Sequence, residues 1–94
     1  GPVLPVLKYR DLDDAVRRAN HSRLGLCASV WTRDAAAGEA VAARLEAGTV
    51  SVNHHGGSDA EIPFAGAKES GLGIERGVIG LRSYMEPQVM ITAR

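Results

Sequence analysis

Residues 24–53 read LGLCASVWTRDAAAGEAVAARLEAGTVSVN. Leu24 to Trp31 is a compact apolar run, and its small residues predict a strand buried on both faces. Thr32 or Asp34 then caps a helix, because a short side-chain oxygen satisfies amides that the first helical turn leaves free. Ala37, Val41 and Leu45 fall on one face of that helix, with Ala40 beside them. Gly48 stands where a glycine closes a helix. Thr49-Val50-Ser51-Val52 alternates and predicts a strand. A strand, a helix and a second strand over so short a stretch imply an α/β sheet with a right-handed crossover.

The flanks extend this pattern. Val3 to Tyr9 is a β-rich apolar run containing Pro5, which cannot donate to a ladder, so it predicts an edge or irregular strand. Asp11 is placed to cap a helix carrying Leu12, Ala15, Val16 and Ala19. Asp13 and Asp14 fall in its first turn and Arg17 and Arg18 later, which suits the helix dipole. The polar run Asn20 to Arg23 ends it. Downstream, Val78, Leu81 and Met85 sit at helical spacing, Pro87 follows, and Gln88-Val89-Met90-Ile91-Thr92 alternates as a last strand. The predicted order is β-α-β-α-β-loop-α-β.

The chain has 94 residues, enough for one small domain, and such a domain buries only about 60–65% of its unfolded surface. Hydrophobic residues make up 45% and aromatics only 4%, so the core must come from Val, Leu, Ile and Ala. Eleven basic residues balance eleven acidic ones, which argues against a nucleic-acid face or an anionic membrane surface. No apolar run approaches the ~20 residues of a membrane span. The single cysteine excludes an internal disulfide framework and suits a reducing, cytoplasmic setting. Gly1-Pro2-Val3 lacks the basic region of a signal peptide; it reads either as a chain continuing upstream or as the scar of a protease site.

Between Asn53 and the third helix lies Ile62-Pro63-Phe64-Ala65-Gly66-Ala67-Lys68-Glu69-Ser70-Gly71-Leu72-Gly73-Ile74-Glu75-Arg76-Gly77. It holds no sustained apolar period, so it predicts an ordered loop shaped against something else, where binding concentrates. Its last glycines miss the spacing of a dinucleotide fingerprint and no strand leads into them; Gly66 to Ser70 lacks the order of a phosphate loop. Cys27, inside an apolar run with no adjacent cation, reads as a core thiol and not a nucleophile. Neighbouring His54 and His55 lack the cluster a metal needs and read as a solvated or pocket-edge pair. Trp31 reads as core or interface. Lys68 reads as half of a structural ion pair ahead of an anion ligand.

Several of these motifs, in one order, resemble the C-terminal part of the aldehyde dehydrogenase superfamily. Gly1-Pro2-Val3 looks like the turn after that family's Glu-x-Phe element. Asn20 through Thr32, with Leu24-Gly25-Leu26 and Val30-Trp31-Thr32-Arg33-Asp34, resembles its Asn-x-x-x-Tyr-Gly-Leu…Val-Trp-Thr-x-Asp block. Ala47 to Asn53 resembles Ala-Gly-Thr-Val-x-Val-Asn, and Pro63 to Gly73 resembles Pro-Phe-Gly-Gly-x-Lys-x-Ser-Gly-x-Gly. Leu81-Arg82-Ser83-Tyr84 and the last strand look like the family's helix end and terminal arm. Leu24, Ala65 and Ile74-Glu75 depart from the usual tyrosine, glycine and Arg-Glu, and with them the loop's tethers and pocket shape.

The resemblance implies oxidation of an aldehyde to an acid with NAD or NADP, through a thiolate nucleophile and a glutamate base. The nucleophile's motif, the base and the cofactor half are not in this sequence. It further implies that residues 1–86 belong to the catalytic domain and residues 87–94 form an oligomerisation arm. Phe64 and Asn53 become candidate substrate contacts, Asn53 also because α/β folds place ligands at the carboxyl ends of strands. Val89 and Ile91 become candidate contacts in a homodimer or homotetramer. The leading expectation is a segment of such an enzyme, inactive alone. The alternatives are a stand-alone interaction protein pairing with a separate chain, and a binding domain without catalytic kinship.

Overall fold

The computed structural model describes residues 2–57 and 59–93. Its elements run α1 (Leu12–Asn20), β1 (Leu24–Gly25), β2 (Cys27–Val30), α2 (Ala35–Ala42), β3 (Thr49–Val52), β4 (Ala67–Lys68) and α3 (Gly77–Arg82). The central unit is β2-α2-β3. β2 and β3 are parallel, with Cys27 opposite Thr49 and Val30 opposite Val52. The amide of Asn53 extends the ladder by donating to the Val30 carbonyl at 2.8 Å. The helix starts are those the sequence encodes. Asp11 accepts from the Asp14 amide at 2.8 Å, and Asp34 from the Ala37 amide at 3.1 Å. Thr32, the other cap candidate, instead accepts from the Asp34 amide at 3.2 Å.

Four expectations need correction. First, Leu24 to Trp31 is not one strand. The chain breaks at Leu26, so that β1 pairs antiparallel with β4 while β2 joins β3. A single strand cannot serve two sheets without such a break.

Second, α2 ends at Ala42 with Ala43 as its cap, well short of Gly48. Gly48 is needed for a different reason: a Cβ there would lie 1.7 Å from the Ala65 carbonyl oxygen. Third, the buried residue of α2 is Gly38, which is not a member of the Ala37, Val41 and Leu45 stripe. A Cβ there would lie 2.7 Å from Val52.

Fourth, residues 3–9 and 88–92 form no ladder. A strand is defined by its neighbour, and among the described residues neither run meets one.

The core is sparse. Val16 is the only buried hydrophobic side chain among the described residues. Beside it on α1, Asp14 is also buried, and Arg10, Arg17 and Arg18 surround its carboxylate. This meets the requirement that a buried charge be paired. The solvent-accessible area is 8331 Å², whereas a self-contained fold of this mass exposes about 5200 Å². The radius of gyration is 18.0 Å, against about 12 Å for a compact chain of this length. Val78 and Leu81 of α3 and Met85 beyond its end are exposed, as are Leu4, Leu7, Met90 and Ile91. No described helix is long and apolar enough to cross a membrane.

Candidate functional site

The loop after β3 folds back on itself. Phe64 and Glu75 exchange both backbone hydrogen bonds at 2.8 Å, closing the glycine-rich segment into a narrow finger. The Gly77 amide donates to the Ala60 carbonyl at 2.9 Å and fixes the finger's base. Its outer part is pinned to β1 and to the residue just before it. The Ser70 hydroxyl accepts from the Gly25 amide at 2.8 Å, and the Glu69 amide donates to the Arg23 carbonyl at 3.0 Å.

Lys68 stands at this junction. Its Nζ lies 2.8 Å from a Glu46 carboxylate oxygen and donates to the Asn20 carbonyl at 2.7 Å. The Asn20 side chain in turn donates to the Arg44 carbonyl at 2.9 Å and accepts from the Glu46 amide at 3.0 Å. Lys68 is therefore the structural ion-pair partner that the sequence favoured. It joins the end of α1, the turn before β3 and the finger.

Between the finger and the β2–β3 ladder lies a cleft of about 530 Å³, in the size range of small-molecule sites. Phe64, half-buried, forms part of its wall, with Ile62, Pro63 and Val50. Cys27, Thr49 and Ser51 line the ladder side, and His54, His55 and Arg76 line the rim. The Arg76 guanidinium carbon sits 5.3 Å from the centre of the Phe64 ring, within cation–π range. A second hollow, of about 430 Å³, lies between α1, β2 and α2 and is bounded mostly by apolar side chains such as Val16, Val41 and Leu45.

Each candidate residue has a defined place. Phe64 is in the cleft. Asn53 is at the carboxyl end of β3 with a left-handed φ of 53°, and its Oδ1 accepts from the Thr32 amide at 2.8 Å. It is not among the residues that line the cleft. Its observed work is to turn the chain out of the sheet and hold the start of α2 beside it. Val89 and Ile91 lie exposed in the extended tail.

Two expectations change here. Cys27 is not a core thiol: it is exposed on the cleft side of β2. Cys27 and Ala28, at the start of β2, line the cleft, whereas Ser29 and Val30, at its end, line the hollow beside α2. Trp31 is likewise exposed, at 66%, which removes the core reading and leaves the interface one. Arg76 was missed. Its closeness to Phe64 depends on the finger's fold, for which sequence spacing carries no signal.

The glycine-rich segment does not form a dinucleotide site. Such a site needs a parallel strand leading through a tight turn into a full helix. Here the preceding ladder, β4, is antiparallel to β1, and α3 is six residues long.

The comparisons agree with this architecture. The aldehyde dehydrogenase family profile matches residues 1–90. The mitochondrial benzaldehyde dehydrogenase of Antirrhinum majus is 42% identical over 93 residues, which cover 99% of this chain and 17% of that protein. Aldehyde dehydrogenase family 2 member B4 of Arabidopsis thaliana, also mitochondrial, has the same identity and coverage. The NAD+ complex of an aldehyde dehydrogenase from Bacillus cereus superposes with a TM-score of 0.86 at 43% identity, over 92% of this chain and 18% of that one. This chain belongs to the aldehyde dehydrogenase family. It spans less than a fifth of the length of these relatives.

Proposed function

We propose that this chain works as the C-terminal segment of an NAD- or NADP-dependent aldehyde dehydrogenase, supplying one wall of the substrate tunnel and the subunit contacts. The observation that carries this reading is the uncovered apolar surface. The chain exposes about 3000 Å² more than a folded domain of its mass does, and among the described residues a single hydrophobic side chain is buried. Surface of that kind is stable in water only when it is covered, and the family's remaining four-fifths is the natural cover. In this reading residues 1–86 complete the catalytic domain and residues 87–94 form an arm. The nucleophile, the general base and the cofactor site belong to the rest of the protein. The balanced composition and single cysteine support a cytoplasmic location without nucleic-acid or membrane partners.

The 94-residue chain by itself is expected to give no aldehyde-dependent NAD(P)H, while the complete enzyme gives it at an ordinary rate. Absorbance at 340 nm with a panel of aliphatic and aromatic aldehydes checks this. Turnover by the isolated chain that vanishes on Cys27→Ala would make Cys27 a nucleophile and overturn the assignment.

Phe64 is the substrate contact on which the reading depends most. A buried aromatic wall contributes about 1–3 kcal/mol, so Phe64→Ala in the complete enzyme is expected to lower kcat/KM for its preferred aldehyde roughly tenfold to a hundredfold. The KM for cofactor should move less than about twofold. Equal losses toward aldehyde and cofactor would make Phe64 a packing residue. Asn53 sits closer to the backbone frame, and the same comparison on Asn53→Ala separates a substrate contact from a turn-former.

A further inference from the structure

We infer that Arg76 is a specificity-determining residue that directs this cleft toward aldehydes carrying a second, anionic group such as a carboxylate. The inference rests on the proposed dehydrogenase reading and deepens it. Arg76 and Phe64 line the same cleft, and the guanidinium is held over the Phe64 ring with 5.3 Å between its carbon and the ring centre. Stacking on an aromatic face leaves the guanidinium edge, with its donors, free for an anion. Its backbone has a left-handed φ of 63°, an uncommon conformation for a side chain of this size, and its carbonyl accepts from the Gly80 amide at 2.9 Å. The side chain thus leaves a defined point at the base of the finger.

The surrounding charges point the same way. Arg76, like Arg33 and Arg82, has no carboxylate within 4.0 Å among the described residues, and of these three it alone lines the cleft. His54 and His55 share its cleft. The one acid that lines it, Asp59, accepts from the Glu61 amide at 2.9 Å. An arginine without a carboxylate, set over the aromatic wall of an apolar cleft, suits a ligand that is apolar along its length and anionic at its end. Bidentate, charge-assisted hydrogen bonds to a carboxylate are the interaction guanidinium geometry favours.

The test uses the complete enzyme and two straight-chain aldehydes of equal length, one ending in a methyl group and one in a carboxylate. Wild type is expected to favour the carboxylate-bearing aldehyde in kcat/KM. Arg76→Gln should lower that value about tenfold to a hundredfold and leave the methyl-ended aldehyde within about twofold. Arg76→Lys, which keeps the charge but not the fork, should fall between. Unchanged thermal transitions exclude misfolding as the cause. Equal effects on both aldehydes, or none, would overturn the inference and leave the dehydrogenase reading intact. A rise confined to the KM for NADP would assign the anion to the cofactor and also overturn it. Absence of NAD(P)H from either aldehyde in wild type would overturn the dehydrogenase reading and the inference together.

Discussion

Gly48→Ala is expected to destabilise the complete enzyme by about 3 kcal/mol, among the largest effects a single methyl group can have. The new Cβ would stand 1.7 Å from the Ala65 carbonyl oxygen and 2.7 Å from the carbonyl carbon. Both are backbone atoms, so no side-chain rotation relieves the overlap. One of two segments must move, and each is fixed. The Gly48 amide is bonded to the Gly25 carbonyl at 3.0 Å, at the point where β1 ends and the β2–β3 ladder begins. Ala65 follows Phe64, which the Glu75 bridge holds. A shift of Ala65 therefore carries Phe64 with it, and activity should fall along with stability. Gly73→Ala is the control. Gly73 has φ of 79° and nothing within 4 Å of the added methyl, so only the left-handed backbone penalises it, by about 1 kcal/mol. Thermal unfolding of the two variants at matched protein concentration measures the difference. Equal losses would mean that the approach of Gly48 to Ala65 relaxes without cost.

The same pair shows what a sequence discloses. Cap residues act within three positions of themselves, so local order alone placed Asp11 and narrowed the cap of α2 to Thr32 or Asp34. The alternation of Thr49 to Val52 is equally local. Lys68 was legible as an ion-pair member because an exposed cation in a loop usually finds a carboxylate, though nothing in the spacing named Glu46. Gly48 and Gly38 were visible as glycines but not as close approaches, since the atoms they make room for, at Ala65 and Val52, lie in later elements. The break at Leu26 is invisible for the same reason: it exists because β4 claims Leu24 and Gly25 while β3 claims Cys27 to Val30. Cys27 was read as buried because a run of small apolar residues normally is. In this chain the start of β2, where it stands, opens on the cleft.

Residues 88–92 pose the other side of that problem, because their periodicity has no partner among the described residues. Val89 is 82% and Ile91 89% exposed, and the alternation that places them on one face is that of a strand. Unpaired apolar strands aggregate or pair with another chain. In a complete enzyme assembled as a dimer or tetramer, this arm would add to a neighbouring subunit and bury both side chains. Full burial of a valine or isoleucine contributes about 1.5–3 kcal/mol, and a two-fold interface counts each residue twice. The arm is thus worth on the order of 6 kcal/mol per symmetric contact, or about four decades in the dissociation constant. Ordering an otherwise free tail offsets part of this. Truncation after Pro87 is therefore expected to shift the complete enzyme toward monomer in sedimentation velocity at micromolar concentration. Its unfolding temperature should fall and become less dependent on protein concentration, because association no longer stabilises the folded state. Val89→Lys together with Ile91→Lys should reproduce the shift without shortening the chain. An oligomer that survives both changes would remove the arm from the interface.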